Sequence, residues 1–327
     1  MKVLVIGYGS IGKRHIKNLT KLPNLELFVV TNRTTDSFLK KSNCKIFKTI
    51  EDAIQVKPSF AIICNVTSLH IKSSLLLAKS GIHLFIEKPL SNSLNHINDL
   101  LFECEKQKLI TQIGCNLRFH PSIKKVKELL LKKKLGEIIS IQIENGSYLP
   151  DWHPDEDYKK SYASKEKLGG GVILTCIHEI DYLYWFFGNI LEVFSFSGNY
   201  GNLDIDSEDI SSILMKITQT SIAEIHLDYF QQPTVRGGKI IGTLGTVIWN
   251  IEENTVKLYN NKTKKWANVL KLINYNSNQM YLDELTHFID CVKNKKFTIN
   301  PIFNGIQTLK IALAIKKSSK FKRVIKL

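Results

Sequence analysis

Apolar residues follow two rhythms along this chain, and the change from one to the other divides it. Up to about residue 118, short unbroken apolar runs alternate with segments whose apolar positions recur at helical spacing. The runs are Lys2 to Ile6, Leu25 to Val30, Ala61 to Cys64, Gly81 to Ile86 and Ile110 to Gly114, and they read as strands buried on both faces. Helices are predicted over Lys13 to Lys21, Leu69 to Lys79 and Asn92 to Lys108. This alternation predicts an α/β domain with a doubly wound parallel sheet, over residues 1–118. Beyond it, Ile138 to Ile143 and Glu224 to Tyr229 alternate apolar with polar, as antiparallel strands with one wet face do, and related segments run from Gly238 to Tyr259. Helices are expected at Val172 to Phe187, ended by Gly188, at Met280 to Asn294 and at Phe303 to Lys317. Residues 119–327 are therefore expected to form an α+β domain around a large open, mainly antiparallel sheet.

The first strand leads into Gly7-Tyr8-Gly9-Ser10-Ile11-Gly12 and then a helix, which is the strand, G-x-G-x-x-G turn and helix of a Rossmann nucleotide site. Gly7 permits the tight turn, Gly9 lets a pyrophosphate approach the backbone, and Gly12 lets helix pack on strand; the phosphates would rest on the amides at the helix N-terminus. A flavin or S-adenosylmethionine can use a similar cradle. After the second strand the chain reads Thr31-Asn32-Arg33-Thr34-Thr35, with no carboxylate before Asp36. An NAD-selective site usually carries one there, for the ribose hydroxyls. Arg33 can clamp a 2′-phosphate, with Asn32 and Thr34 donating hydrogen bonds, so NADP(H) is the expected cofactor. If Arg33 only stacks on adenine, NAD(H) serves as well. Asn65, Thr67 and His70 follow the third strand and are expected near the nicotinamide ribose, unless they do ordinary loop and cap work.

Glu87-Lys88-Pro89 closes the strand Gly81 to Ile86. Pro89 ends strand pairing and holds Lys88 extended, so an ammonium stands at the carboxyl end of a strand, where open α/β sheets bind ligands. In the second domain, His178 is the candidate proton carrier, since imidazole titrates nearest neutrality. Asp181, three residues on, is expected to share its helical face.

Composition narrows the picture. The chain has 327 residues, 43% of them apolar and 23% charged, which is ordinary for a globular protein of two domains. Six scattered cysteines form no C-x-x-C pair, and no ligand spacing of a metal site occurs, so reduced thiols and no metal are expected. No signal peptide or membrane-length apolar run is visible, which points to a cytoplasmic protein without a membrane partner. The net charge of +15 comes from dispersed lysines without a nucleic-acid module. It favours anionic small molecules and gives no reason to expect nucleic acid.

These marks together resemble the Gfo/Idh/MocA oxidoreductases, the glucose–fructose oxidoreductase and inositol dehydrogenase group. The resemblance rests on the first-turn glycines, Glu87-Lys88-Pro89, Asn116-Leu117-Arg118-Phe119-His120-Pro121, Gly169-Gly170-Gly171 followed by His178-Glu179-Ile180-Asp181, and Ile241 to Thr246, which span most of the chain in the family's order. It implies a nicotinamide-dependent dehydrogenase or reductase acting on a hydroxyl or keto carbon of a sugar, cyclitol or derivative. It further implies that Lys88 and His178 are catalytic, that Glu87 and Lys88 also lie against the cofactor, and that the open sheet joins copies into a homodimer or homotetramer. Arg118, His120, Trp152, Thr175 and Asp181 join Lys88 and His178 as expected substrate contacts. The Trp152 to Gly171 segment is similar to members that make surface-polysaccharide sugars, implying a nucleotide-linked or amino sugar. One departure stands out: where the family often has an aspartate three or four residues before the histidine, this chain has Thr175 and Leu174. A non-catalytic cofactor-binding protein, or a reductase of a non-sugar carbonyl or imine, are the alternative readings.

Overall fold

The computed structural model describes residues 1–33, 37–154 and 157–327. The chain divides into two compact units, Met1–Cys115 with Asn278–Leu309, and Asn116–Ser277 with Lys310–Leu327. Residues 278–309 therefore group with the first unit, where the apolar rhythm alone assigned everything after 118 to the second.

In the first unit the described elements run β1 (Lys2–Ile6), α1 (Ser10–Leu19), β2 (Glu26–Val30), α2 (Ser37–Lys41), β3 (Lys45–Phe47), α3 (Ile50–Ile54), β4 (Phe60–Ile63), α4 (His70–Lys79), β5 (His83–Glu87), α5 (Ile97–Lys106) and β6 (Thr111–Gly114). The six strands form one sheet in the order β3-β2-β1-β4-β5-β6, every neighbouring pair parallel. The order reverses direction at β1 and β4, so the ends of β1, β4 and β5 meet where such sheets bind ligands. Val3, Val5, Ile62 and Phe85 are inaccessible, as strands covered on both faces require. The helix α5 begins at Ile97, later than its apolar pattern suggests, because His96 takes a left-handed conformation (φ 58°) that breaks the turn before it.

The second unit contributes α6 (Pro121–Leu131), β7 (Ile138–Gly146), α7 (Val172–Thr175), α8 (His178–Phe187), β8 (Glu192–Gly198), β9 (Ile210–Lys216), β10 (Ile222–Asp228), β11 (Val235–Gly242), β12 (Gly245–Asn250), β13 (Thr255–Asn260) and β14 (Lys265–Lys271). Then come α9 (Asn278–Asn294) in the first unit, α10 (Ile302–Phe321), within which the unit boundary falls, and β15 (Ile325–Lys326). The second sheet is ordered β14-β13-β12-β11-β7-β10-β9-β8-β15. All its pairs are antiparallel except β7 with β10, which run parallel despite their alternating sequences; the 75-residue stretch between them is long enough for a crossover. Ala223, Ile225 and Leu227 of β10 are buried while Ile222, Glu224 and His226 are exposed, so the period of two separates a covered face from an open one. Contacts from α6, α7 and α8 supply the cover.

The expected single helix over Val172 to Phe187 is two. α7 stops at Thr175, Cys176 leaves helical geometry (φ −94°, ψ 34°), and α8 restarts at His178. The segment is apolar nearly all round, so its periodicity carries no signal of the break.

Candidate active site

The first unit builds a cradle out of missing atoms. Gly7 has φ +100°, and a Cβ on it would lie 2.7 Å from the Asn65 amide nitrogen, so the turn closes only without a side chain. A Cβ on Gly12 would lie 2.4 Å from the Gly7 carbonyl oxygen, which lets α1 pack onto the turn. Gly9 differs from both. Its φ of −81° suits any residue and a Cβ would meet nothing within 4 Å, so the bare backbone there keeps outside space open. Gly9 is also the N-cap of α1, which has no side-chain cap and no acidic residue in its first turn. Free donors and the positive end of the helix dipole therefore face that space across Ser10 and Ile11. A dinucleotide pyrophosphate fits this donor set, and Tyr8, buried with Lys13 Nζ 5.0 Å from its ring centre, firms the turn.

The remaining predicted cofactor residues divide. Asn32 and Arg33 follow β2; Arg33 is exposed and its amide donates to Thr31 Oγ1 at 3.1 Å. Thr34 lies outside the described residues. Asn65 donates through Nδ2 to Ser73 Oγ at 2.9 Å, while its buried Oδ1 meets no partner among the described residues, a place for a ligand's donor. Thr67 is buried in a short 3-10 turn, Thr67–Leu69. His70, expected beside the ribose, instead has its ring 1% exposed between two backbone carbonyls, Nδ1 2.9 Å from Pro89 O and Nε2 3.1 Å from Asn65 O. Burial lowers its pKa, the carbonyl contacts opposing in part, and it ties the loop after β4 to the one after β5.

Glu87 is likewise turned inward. Its Oε1 lies 2.6 Å from Nε2 of His15 on α1, with side-chain exposures of 8% and 0%, and its Oε2 accepts from the Lys88 amide at 3.3 Å. The carboxylate expected against the cofactor is engaged within the protein. Lys88 stands half-buried between buried Glu87 and Pro89, and a cis peptide bond joins it to the proline.

In the second unit, His178 opens α8 and is 7% exposed. Asp181, one turn on, was expected at the substrate or beside the imidazole. Its two oxygens instead accept from Arg118 Nε and Nη2, both at 2.8 Å, and Arg118 is fully buried with its guanidinium 5.4 Å from the Trp185 ring centre. Glu179 is matched in the same way, accepting from Arg236 Nε at 2.8 Å and Nη2 at 3.2 Å and from Asn145 at 3.1 Å. His120 also serves the fold: its Nδ1 accepts from the Ser122 amide at 3.2 Å as the N-cap of α6, and its ring meets Tyr275 edge-on. Burial lowers its pKa to about 4, with a hydrogen bond to Asn254 opposing and Arg236 assisting, so it is neutral at physiological pH. Thr175 is buried near the Tyr229 phenol, whose pKa burial drives well up. Trp152 packs edge-on to Tyr229 at 5.4 Å and donates to Ser147 Oγ at 2.9 Å. The loop that follows is latched by Lys159 to Asp204 at 2.9 Å and by Lys316, 3.0 Å from Glu208 and 3.4 Å from Glu166.

Sequence reasoning missed His15, Tyr229 and the Glu179–Arg236 pair. His15 carried a signal, standing three residues after Gly12 beside Ile16 and Leu19 on the apolar face of α1. Among the described residues no cluster of three or more His, Cys, Asp or Glu is placed to hold a metal, and no helix is long and apolar enough to cross a membrane.

Comparison with known proteins agrees with this layout. Residues 1–115 match the oxidoreductase family with an NAD-binding Rossmann fold, and residues 123–248 match the GFO/IDH/MocA C-terminal domain. Myo-inositol 2-dehydrogenase of Thermotoga maritima is 26% identical over 100% of this chain and 98% of its own. Levoglucosan dehydrogenase, solved in complex with NADH, has the same fold at a TM-score of 0.90 and 14% identity, covering 100% of this chain and 98% of that one. GenD2 from gentamicin A biosynthesis, solved in complex with NAD, aligns at a TM-score of 0.86 and 18% identity over 100% and 96%.

Proposed function

The chain belongs to the Gfo/Idh/MocA oxidoreductases, and from that premise we propose that it transfers a hydride between NADP(H), taken in preference to NAD(H), and a hydroxyl or keto carbon of a sugar or sugar derivative. The observation that carries the reading is the Gly9 cradle: an uncapped, acid-free helix start facing open space, in the same unit as a half-buried lysine at a strand end. Gly7 to Gly12, Asn65 and Thr67 would hold the dinucleotide, with Asn32, Arg33 and Thr34 at its adenosine end. When bound, the nicotinamide supplies or accepts the hydride. Lys88 Nζ then holds the proton of the reacting hydroxyl: as an amine it takes the proton during oxidation, and as an ammonium it returns it during reduction. His178 is the second proton-carrying group, and α8, anchored by Asp181 on Arg118, keeps its ring in place.

A UDP-N-acetylglucosamine 3-dehydrogenase of Acidithiobacillus ferrooxidans, 24% identical over 39% of this chain and 41% of its own, supports a nucleotide-linked or amino sugar as substrate, as the resemblance read from the Trp152 to Gly171 segment also implies. Six free cysteines support a reducing compartment, the cytoplasm. Phe196, Leu214, Ile222 and Trp266 are each about half exposed in the second sheet, which supports a homodimer or homotetramer joined through it. The second reading, a non-catalytic cofactor-binding protein, draws on Thr175, a hydroxyl with no proton to exchange near neutral pH. Fluorescence titration with NADPH and NADH, followed by a panel of sugars and nucleotide sugars with the Lys88→Ala and His178→Ala variants, decides between them. The reading expects dinucleotide binding in all three proteins and turnover only in the wild type. Wild-type turnover in both variants removes these residues from the mechanism, and binding without turnover of any substrate favours the second reading.

A further inference from the structure

The two residues on either side of Lys88 are each gripped by a buried histidine. Behind it, Glu87 Oε1 meets His15 Nε2 at 2.6 Å, and ahead of it the Pro89 carbonyl meets His70 Nδ1 at 2.9 Å. His15 has no other described hydrogen bond: its Nδ1 is buried without a partner among the described residues, and its ring stands edge-on to Phe85 of β5 at 5.3 Å. The imidazole is thus oriented by Glu87 alone. Room for the carboxylate is kept by β6, where a Cβ on Gly114 would lie 3.0 Å from the Glu87 carboxyl. His15 projects from α1, whose open N-terminus starts five residues earlier at Ser10. One buried contact therefore joins the helix of the dinucleotide cradle to the residue that precedes Lys88.

We propose that His15 and Glu87 are positioning residues for Lys88: the pair fixes the strand end that presents the Lys88 side chain and keeps a carboxylate on the preceding residue, which sets the pH range over which Lys88 exchanges its proton. This rests on the reading of Lys88 as a catalytic residue. Other titratable groups packed around Glu87 and Lys88 in this unit are Arg14 on α1, Cys64 after β4, His70 on α4, and Tyr281 and Glu284 on α9. None of these is within a described hydrogen bond of the Glu87 carboxylate, which leaves His15 and the Lys88 amide as its partners.

The test is Glu87→Gln, which keeps shape and removes charge, beside His15→Gln and the double variant. In Glu87→Gln, kcat should fall about 10- to 100-fold while the directly measured dinucleotide Kd stays within about threefold. Without the carboxylate the ammonium loses stabilisation, so the limb of the kcat–pH profile that reports Lys88 should move to lower pH. The double variant should be no worse than the poorer single one, since the two side chains act as one unit. A wild-type kcat and pH profile in Glu87→Gln overturns the proposal, as does a loss of Kd in step with kcat, or a chain that unfolds in both single variants, since the pair then serves cofactor or core and not Lys88. Lys88→Ala separates the two ideas. Full turnover there removes the catalytic reading itself; an inactive Lys88→Ala beside a wild-type Glu87→Gln removes this inference alone.

Discussion

Among the helices that begin without a side-chain cap, α1 at Gly9 and α8 at Ile177 answer the same physical problem in opposite ways. A helix start has unpaired amides and a partial positive charge. α8 meets that charge from within, placing Glu179 and Asp181 in its first turn and matching each with a two-pronged arginine. α1 has no acid in its first turn and faces open space through Gly9. The closed solution makes a rigid platform that begins with His178, and the open one makes a seat for an external anion. An uncapped helix start is thus no site by itself; what decides is whether the chain has already supplied the anion.

Removing the internal partner from the closed helix should have the largest effect. Arg118→Ala leaves the Asp181 carboxylate buried and unmatched, a loss of about 3–5 kcal/mol of stability by urea unfolding. Replacing both residues by apolar ones of similar size, Arg118→Met with Asp181→Leu, should recover most of it. If Arg118→Ala unfolds like the wild type, the platform account of α8 is wrong.

The open helix should respond in binding and not in folding. Gly9→Ala puts a methyl into the cradle without a clash and at a backbone angle alanine accepts. Dinucleotide affinity should fall about 100-fold, roughly 2.7 kcal/mol, with the unfolding midpoint unchanged. A destabilised Gly9→Ala that still binds would reverse the roles assigned to the two helices.

The contrast also explains what could be read in advance. In the first unit the binding surface is made of absent side chains, and glycines at fixed spacing after an apolar run display that directly. The strand, glycine turn and helix that open the parallel sheet were legible for that reason. The second unit depends on partners far apart in sequence, Arg118 with Asp181 at a separation of 63 residues and Arg236 with Glu179 at 57, and no local pattern announces them. Asp181 was correctly placed one turn from His178, yet its engagement could not be seen. Glu87 was legible at a strand end and His70 in the segment that follows one; that they face inward follows only from the neighbours that the β5 end and α1 bring to them.

A histidine cap elsewhere in the second unit carries a pH signature. His120 titrates near pH 4 in the fold against 6.5 for an ordinary histidine, mainly because burial disfavours its charge. Between these values the folded chain binds fewer protons than the unfolded one, so the stabilisation is complete above about pH 6.5 and is lost as pH falls toward 4. Wild-type stability should drop by about 3 kcal/mol across that window from this group, and His120→Asn, which keeps a capping acceptor, should flatten the slope. An unchanged slope would mean that His120 opens to water before it titrates.

The smallest expected effect concerns how the open helix shares its anion with the rest of the unit. The pyrophosphate is common to both nicotinamide dinucleotides, so α1 cannot choose between them. Choice has to come from the end of β2, where Arg33 is exposed, its backbone is turned by the Thr31 hydroxyl, and no carboxylate precedes residue 36. On the proposed reading, the guanidinium there pairs with a 2′-phosphate. Arg33→Ala should therefore weaken NADPH about tenfold, ~1.4 kcal/mol, and leave NADH unchanged. Raising the salt concentration should shrink the wild-type preference in the same direction, because an exposed charge pair is screened. If the variant weakens both dinucleotides equally, Arg33 stacks on the adenine they share, and the seat at α1 is joined by a second contact that is equally blind to the phosphate.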